Sequence, residues 1–126
     1  MVTKKELFLE LKNLLATSIP EVNNRVYSSF PKKKYTLPLI VISNISYEED
    51  SYTLNDSVIS GFYSVEIYLY SKTSQEIDEL SEKIKDSLRA HDFFGMSKTI
   101  RDEGTVDSFE ENSIVHESAI ELILQW

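Results

Sequence analysis

The stretch SGFYSVEIYLYSKTSQEIDELSEKIKDSLRAHDFFGM, Ser60 to Met96, decides the fold. Its first part belongs to a run from about Val58 to Ser71 with the period of two that marks a strand. Tyr63, Val65, Ile67 and Leu69 fall on one face, with Phe62, Ser64, Glu66, Tyr68 and Tyr70 on the other. Gly61 reads as a bulge position. At Thr73 the period changes. Thr73 and Glu76 match the T-x-x-E capping box that satisfies free N–H groups at a helix start. Ile77, Leu80, Ile84 and Leu88 then form an apolar stripe, and Asp78, Glu79, Glu82, Lys83, Lys85 and Asp86 take the other faces. The stretch closes on an apolar turn, Phe93-Phe94-Gly95-Met96.

Working outward, the N-terminal segment repeats the helix signal. Thr3 and Glu6 form a second T-x-x-E, and Leu7, Phe8, Leu11, Leu14 and Leu15 share one helical face. The helix ends by Thr17-Ser18, because Pro20 drives the residue before it out of the α region. A short apolar element at Val26-Tyr27 leads to a basic loop, Phe30 to Lys34. Leu39 to Tyr47 is rich in β-branched residues and predicts a strand. Glu48 to Asp56, polar and acidic, reads as a mobile hairpin loop. Beyond the central stretch, Ser97 to Phe109 contains a short strand, and Ile114 to Trp126 alternates most cleanly of all. Ile120, Leu122 and Leu124 point to the core there, with Glu117, Glu121 and Gln125 pointing away.

The expected order is therefore α-β-β-β-α-β-β, an α+β fold. A single mixed or mainly antiparallel β-sheet should carry two helices on one face, leaving the other for solvent or a partner. With 126 residues and no linker or repeat, residues 1–126 read as one domain. Such a chain buries roughly two thirds of its unfolded surface, enough for its own core.

Composition narrows the function classes. There are no cysteines, so disulfides, thiol chemistry and cysteine-ligated zinc are excluded. Apolar runs fall short of the ~18–20 residues that span a bilayer, and Glu6, Glu10 and Lys12 interrupt any signal-peptide core. The chain reads as soluble and intracellular, with no membrane partner. The net charge is −8, distributed unevenly: residues 1–34 carry +4 and residues 35–126 carry −12. An acidic body repels nucleic acid phosphate, because binding rests largely on Lys and Arg.

Signals for catalysis are sparse. His91-Asp92 and His116-Glu117 are isolated pairs, and neighbours on a strand point to opposite faces, so the second pair cannot share an ion. The three glycines leave no phosphate loop, and neither a Rossmann fingerprint nor a nucleophile elbow is present. The acidic segment 48–56 lacks the register of a calcium loop. Hence no catalytic, cofactor or metal residues are expected, and the chain reads as a non-enzyme. Contact signals are stronger. Phe62, Tyr68 and Tyr70 stand on the presumed bare sheet face, and Phe93, Phe94 and Met96 follow the second helix. These six are the candidate interface residues. For the Phe93 cluster, a helix end tucked into the core is the competing reading.

A leading helix, a P-x-I-V-I strand (Pro38 to Ile42), a variable polar loop and a V-x-I-x-L-Y-S strand (Val65 to Ser71) occur in that order. A helix spaced E-I-x-x-L-x-x-x-I-x-x-x-L and a closing strand follow. The pattern spans most of the chain and resembles the tail-terminator, or tail-completion, proteins of tailed bacteriophages and prophages. The resemblance implies a ring of self-associated subunits, commonly a hexamer, that caps the tail tube and joins it to the head. Its partners would be the tail-tube protein and a head-completion or connector protein. DNA would pass through the hole without being specifically bound. The location implied is the tail or neck of a virion assembled in the bacterial cytoplasm. An acidic lumen or rim would keep the genome from sticking, and Glu48, Glu49, Asp50, Glu66, Glu117 and Glu121 are the candidates for it. The alternative is a small acidic inhibitor or immunity-type protein whose charge speeds its association with a basic partner.

Overall fold

The structure, a computed structural model, describes residues 2–52, 58–110 and 113–126, with side-chain surroundings described for all of these except 50–52, 58–60, 108–110 and 113. Helix α1 spans Lys4–Ser18 and is followed by a short 3-10 turn, Pro20–Val22. Strands β1 (Val26–Tyr27), β2 (Leu39–Tyr52) and β3 (Val58–Ser71) precede helix α2 (Ser74–Ala90), and β4 (Ser97–Glu110) and β5 (Ser113–Gln125) complete the chain. The order is α-β-β-β-α-β-β, as expected. The strands form one mixed sheet in the order β1-β2-β3-β5-β4. Among the described residues, only the β1–β2 pairing is parallel.

Both helices begin where their caps predict. The Thr3 hydroxyl accepts from the Glu6 N–H at 3.1 Å, and Thr73 accepts from Glu76 in the same way. The return half of each capping box differs from the motif. Glu6 is held by the Thr3 hydroxyl, and Glu76 by the hydroxyl of buried Ser71 at the end of β3. The C-terminus of α2 is closed from β4: the Lys98 ammonium donates to the carbonyls of Leu88 (2.9 Å) and His91. A cation there meets both the orphan carbonyls and the negative end of the helix dipole.

One core holds the molecule together. Leu7, Leu11 and Leu15 of α1 and Ile77, Leu80, Ile84 and Leu88 of α2 pack on the same sheet face. That face presents Ile40 and Ile42 of β2, Tyr63, Val65, Ile67 and Leu69 of β3, and Ile120, Leu122 and Leu124 of β5. At roughly 1.5–3 kcal/mol for each large apolar side chain removed from water, this stripe-on-sheet burial outweighs any single polar contact in the molecule. Polar ties are placed around it: Ser81 of α2 bonds Ser118 of β5 at 2.8 Å, and Lys85 of α2 reaches Asp102 of β4 at 2.9 Å.

Four expectations are corrected. Glu48 and Glu49 lie in a strand, because β2 continues to Tyr52 by pairing with the start of β3. Cross-strand pairing overrides the low β preference of a Glu-Glu-Asp run. Residues 48–52 of the expected 48–56 loop are therefore strand; positions 53–56, and the side chain of Asp50, lie outside the described residues. Strand β4 is long, with fourteen residues. It is an edge strand, and among its described residues only Ile100 packs against the core, half-buried. Gly61 is not itself bulged: the register shift falls on β2, between Glu49 and Ser51. The glycine is needed for close approach, since a Cβ there would meet the Glu48 carbonyl and the Tyr47 hydroxyl at 2.9 Å.

The second sheet face is not wholly bare either. Leu39 and Val41 of β2 and Val115 of β5 are buried, yet they lie outside the helix-side core. The connection from β1 to β2, residues 28–38, crosses this face. Its Phe30 packs edge-on against both Tyr70 and Tyr35 at 4.9 Å between ring centres. Arg25 anchors the crossing by donating to the carbonyls of Pro38 (3.0 Å) and Glu21 (3.1 Å).

Candidate assembly surface

The part of the far face left open runs across Phe62, Ser64, Glu66 and Tyr68 of β3, Glu121 and Ile123 of β5, and Thr99 and Arg101 of β4. Glu66 and Glu121 are direct cross-strand partners. Like charges directly opposite each other are destabilising. Each is offset by its own donors. Glu66 accepts from the Tyr68 hydroxyl and from the Asn44 side-chain amide at 2.8 Å. Glu121 accepts from the Ser64 hydroxyl at 3.3 Å and faces Arg101 at 3.5 Å.

Asn44 is placed to do this by a bulge in β2, where it takes a left-handed conformation (φ 52°) that Asn tolerates better than most residues. The Tyr68 and Asn44 hydrogen bonds hold the Glu66 carboxyl below the usual carboxylate range. Reciprocally, the bond to Glu66, with burial and nearby Glu103 and Glu117, pushes the Tyr68 hydroxyl up to about 12. Glu117 differs. It sits between Tyr70 and Val106 across the strands, and burial alone pushes its carboxyl up. The open surface thus carries fixed negative charge at Glu66, and a more easily protonated carboxyl lower down.

The candidate interface residues separate into three groups. Phe62 and Tyr68 are half-buried on the open face, as expected. Tyr70 is on that face but stacked under Phe30, so it belongs to the covered part. Phe93 is 1% exposed and belongs to the core, which removes it from the candidates. The turn after α2 explains the contrast with its neighbour. The Met96 N–H bonds the Phe93 carbonyl at 2.9 Å, with Phe94 and Gly95 both at positive φ between them. That turn sends Phe93 inward and Phe94 outward. Phe94 is 48% exposed, and an aromatic residue in the left-handed region is uncommon and strained. Met96 is half-buried against the core. Of the lumen candidates, Glu48 and Glu49 are exposed on β2, and Glu66, Glu117 and Glu121 share the far face.

A cavity of about 640 Å³ that sequence reading did not find opens at the end of the sheet where β2 and β3 overhang β5. Val2, Glu6, Tyr63, Phe94, Met96 and Trp126 line it. The Tyr63 hydroxyl donates to the Val2 carbonyl, and the Trp126 N–H donates to Gly61 at 3.1 Å, fixing both chain ends beside it. The signal was present in the closing alternation, which ends on Trp126, but no local pattern could place Val2 and Phe94 next to it. Among the described residues, no group of three or more His, Asp or Glu is arranged to hold a metal ion, and no helix is long and apolar enough to cross a membrane. Neither a family model nor a curated protein matches this chain.

Proposed function

We propose that this protein is a structural component of a phage or prophage virion, resembling tail terminators, whose copies form a ring that caps the tail tube and joins it to the head. The observation that supports the reading most is the half-open far face of the sheet. The helices and strands of the resemblance form in the expected order, both helices cover one side, and the opposite side presents Glu66 beside Glu121. Such a surface lines or rims a channel for DNA well, because fixed negative charge prevents phosphate from adhering. Hydrogen bonds from Tyr68 and Asn44 lower the Glu66 carboxyl further and hold it in place on that face.

A ring also requires two different contact patches per subunit, since a head-to-tail contact must close on itself. Among the described residues, the exposed large apolar side chains are not gathered in one self-complementary patch: Phe94 and Trp126 lie at one end of the sheet, Val106 and Ile114 towards the other, and Leu9 on α1. Gene order is the first test. Capsid, portal and tail genes beside this one support the reading, whereas a neighbouring toxin gene favours the acidic inhibitor. The second is electron microscopy of the protein mixed with tail-tube protein from the same genome. Rings with a central hole, or tubes capped at defined length, are expected; tubes that grow unchanged contradict the proposal.

A further inference from the structure

We infer that the cavity beside Trp126 receives the lysine-tipped loop 30–35 of the next copy; this rests on the ring reading and names its contact. The lining has the chemistry of a site for an organic cation. Tyr63, Phe94 and Trp126 supply aromatic rings, which attract an ammonium group through their faces, and Met96 adds a polarisable thioether. Glu6 is the one charged side chain among the described lining residues. Its charge acts on the cavity interior: burial first, then Tyr47 and Glu6, push the Tyr63 hydroxyl up. Lys4 shares the first turn of α1, but at about 3.6 residues per turn it falls on the opposite side of the helix from Glu6. Glu10, four residues on, falls on the same side as Glu6 and pairs with His91 at 2.7 Å. The cavity therefore borders an acidic stripe of the helix.

The loop is held in shape by its own ring contacts. Phe30 packs against Tyr35 at 4.9 Å, which closes the base of the loop, and against Tyr70 at 4.9 Å, which fixes it to the sheet. Pro31 restricts the backbone that follows. The tip is Lys32, Lys33 and Lys34, all exposed and in no ion pair among the described residues. A loop already fixed at its base loses less freedom on binding.

No copy can fill its own cavity. Phe30 is tied to Tyr70 on the far face of the sheet, whereas Tyr63 belongs to the helix side. The two tyrosines are also seven residues apart on β3, about 23 Å. Loop and cavity are thus two different patches at separate places on the subunit, as a head-to-tail contact requires. Charge favours the same partner. The subunit carries −8 overall, so the lysine tip of one copy is drawn to the acidic body of another.

Trp126 is the chain's single tryptophan, so its fluorescence reports on the cavity. Its emission is followed as full-length protein is titrated from dilute to concentrated, with sedimentation of the same samples. The inference predicts that emission shifts as copies associate. Lys32→Gln, Lys33→Gln and Lys34→Gln together should weaken association about tenfold or more, as loss of a desolvated cation–π contact would. Unchanged association in that variant, or a Trp126 signal indifferent to association, overturns the inference. Charge reversal tests the pairing itself. Glu6→Lys protein, and a chain with Lys32→Glu, Lys33→Glu and Lys34→Glu, should each associate poorly alone and well when mixed, because both contacts then join opposite charges. A mixture no better than its components overturns the contact. Should Glu6→Lys fail to fold, Phe94→Ala must weaken association to the same degree as the lysine variant, and no effect overturns the contact. Assembly that stops at a dimer with a shifted Trp126 signal supports the contact and overturns the ring. Rings formed as readily by the lysine variant as by the wild type overturn the contact alone. Monomers throughout, with and without tail-tube protein, overturn both.

Discussion

At the scale of single residues, the Glu66–Tyr68 bond makes stability depend on pH in a defined way. The Glu66 carboxyl titrates below 4.5 in the folded protein, so its contribution is complete above 4.5 and is lost as pH falls through the lower folded value. Tyr68 works in the opposite direction. Its hydroxyl is raised from 10.0 to about 12, so its contribution is complete below 10.0 and is lost as pH rises through about 12. The stability difference between wild type and Tyr68→Phe should be greatest between those limits and shrink at both ends, which urea melts across pH would show. A constant difference at all pH would contradict the assignment. Burial raises Glu117, so its charged form is disfavoured at neutral pH. Glu117→Gln should therefore leave stability at pH 7 unchanged or higher, and should reduce any gain seen on mild acidification. Phe94 gives a test of strain. Replacing it with Asn, which tolerates positive φ, should stabilise the monomer by about 1 kcal/mol. Under the proposed ring assembly the same substitution should weaken self-association, because it removes an exposed aromatic ring from the candidate interface.

At the scale of elements, α2 and its closure from β4 carry the clearest consequences. Ile84→Ala should cost about 2–5 kcal/mol by opening a cavity between α2 and the sheet. Leu9→Ala, on the exposed side of α1, should change stability by no more than about 0.5 kcal/mol. Lys98→Met should cost about 1–3 kcal/mol, since it strands two carbonyls at the end of α2. Denaturant melts measure all three. These elements also show what local sequence conveys. The stripe Ile77–Leu88 and the alternation Tyr63–Leu69 were legible because each obeys one period over many residues and one face is fully buried. The extension of β2 through Glu48 and Glu49, and the whole of β4, were not. There strand formation is imposed by pairing with a neighbour far along the chain, and an exposed edge needs no apolar pattern. Phe93 and Phe94 were inseparable for a similar reason: a turn with two positive φ angles divides them, and composition does not report φ.

At the scale of the whole molecule, the distribution of surface matters more than any one site. The helices close one face, the connection 28–38 closes part of the other, and what remains open is acidic. The cavity at one end was hidden in the sequence because it is assembled from distant segments: Val2 with Phe94 and Trp126. A head-to-tail contact whose rotation closes gives a ring whose mass is a fixed multiple of the subunit, as the proposed function requires. The most direct measurement is sedimentation velocity over a wide concentration range, with and without tail-tube protein, paired with electron microscopy of the same samples. The account predicts one closed species of several subunits with a central hole. Monomers under every condition, or a one-to-one complex with a basic protein, would contradict it.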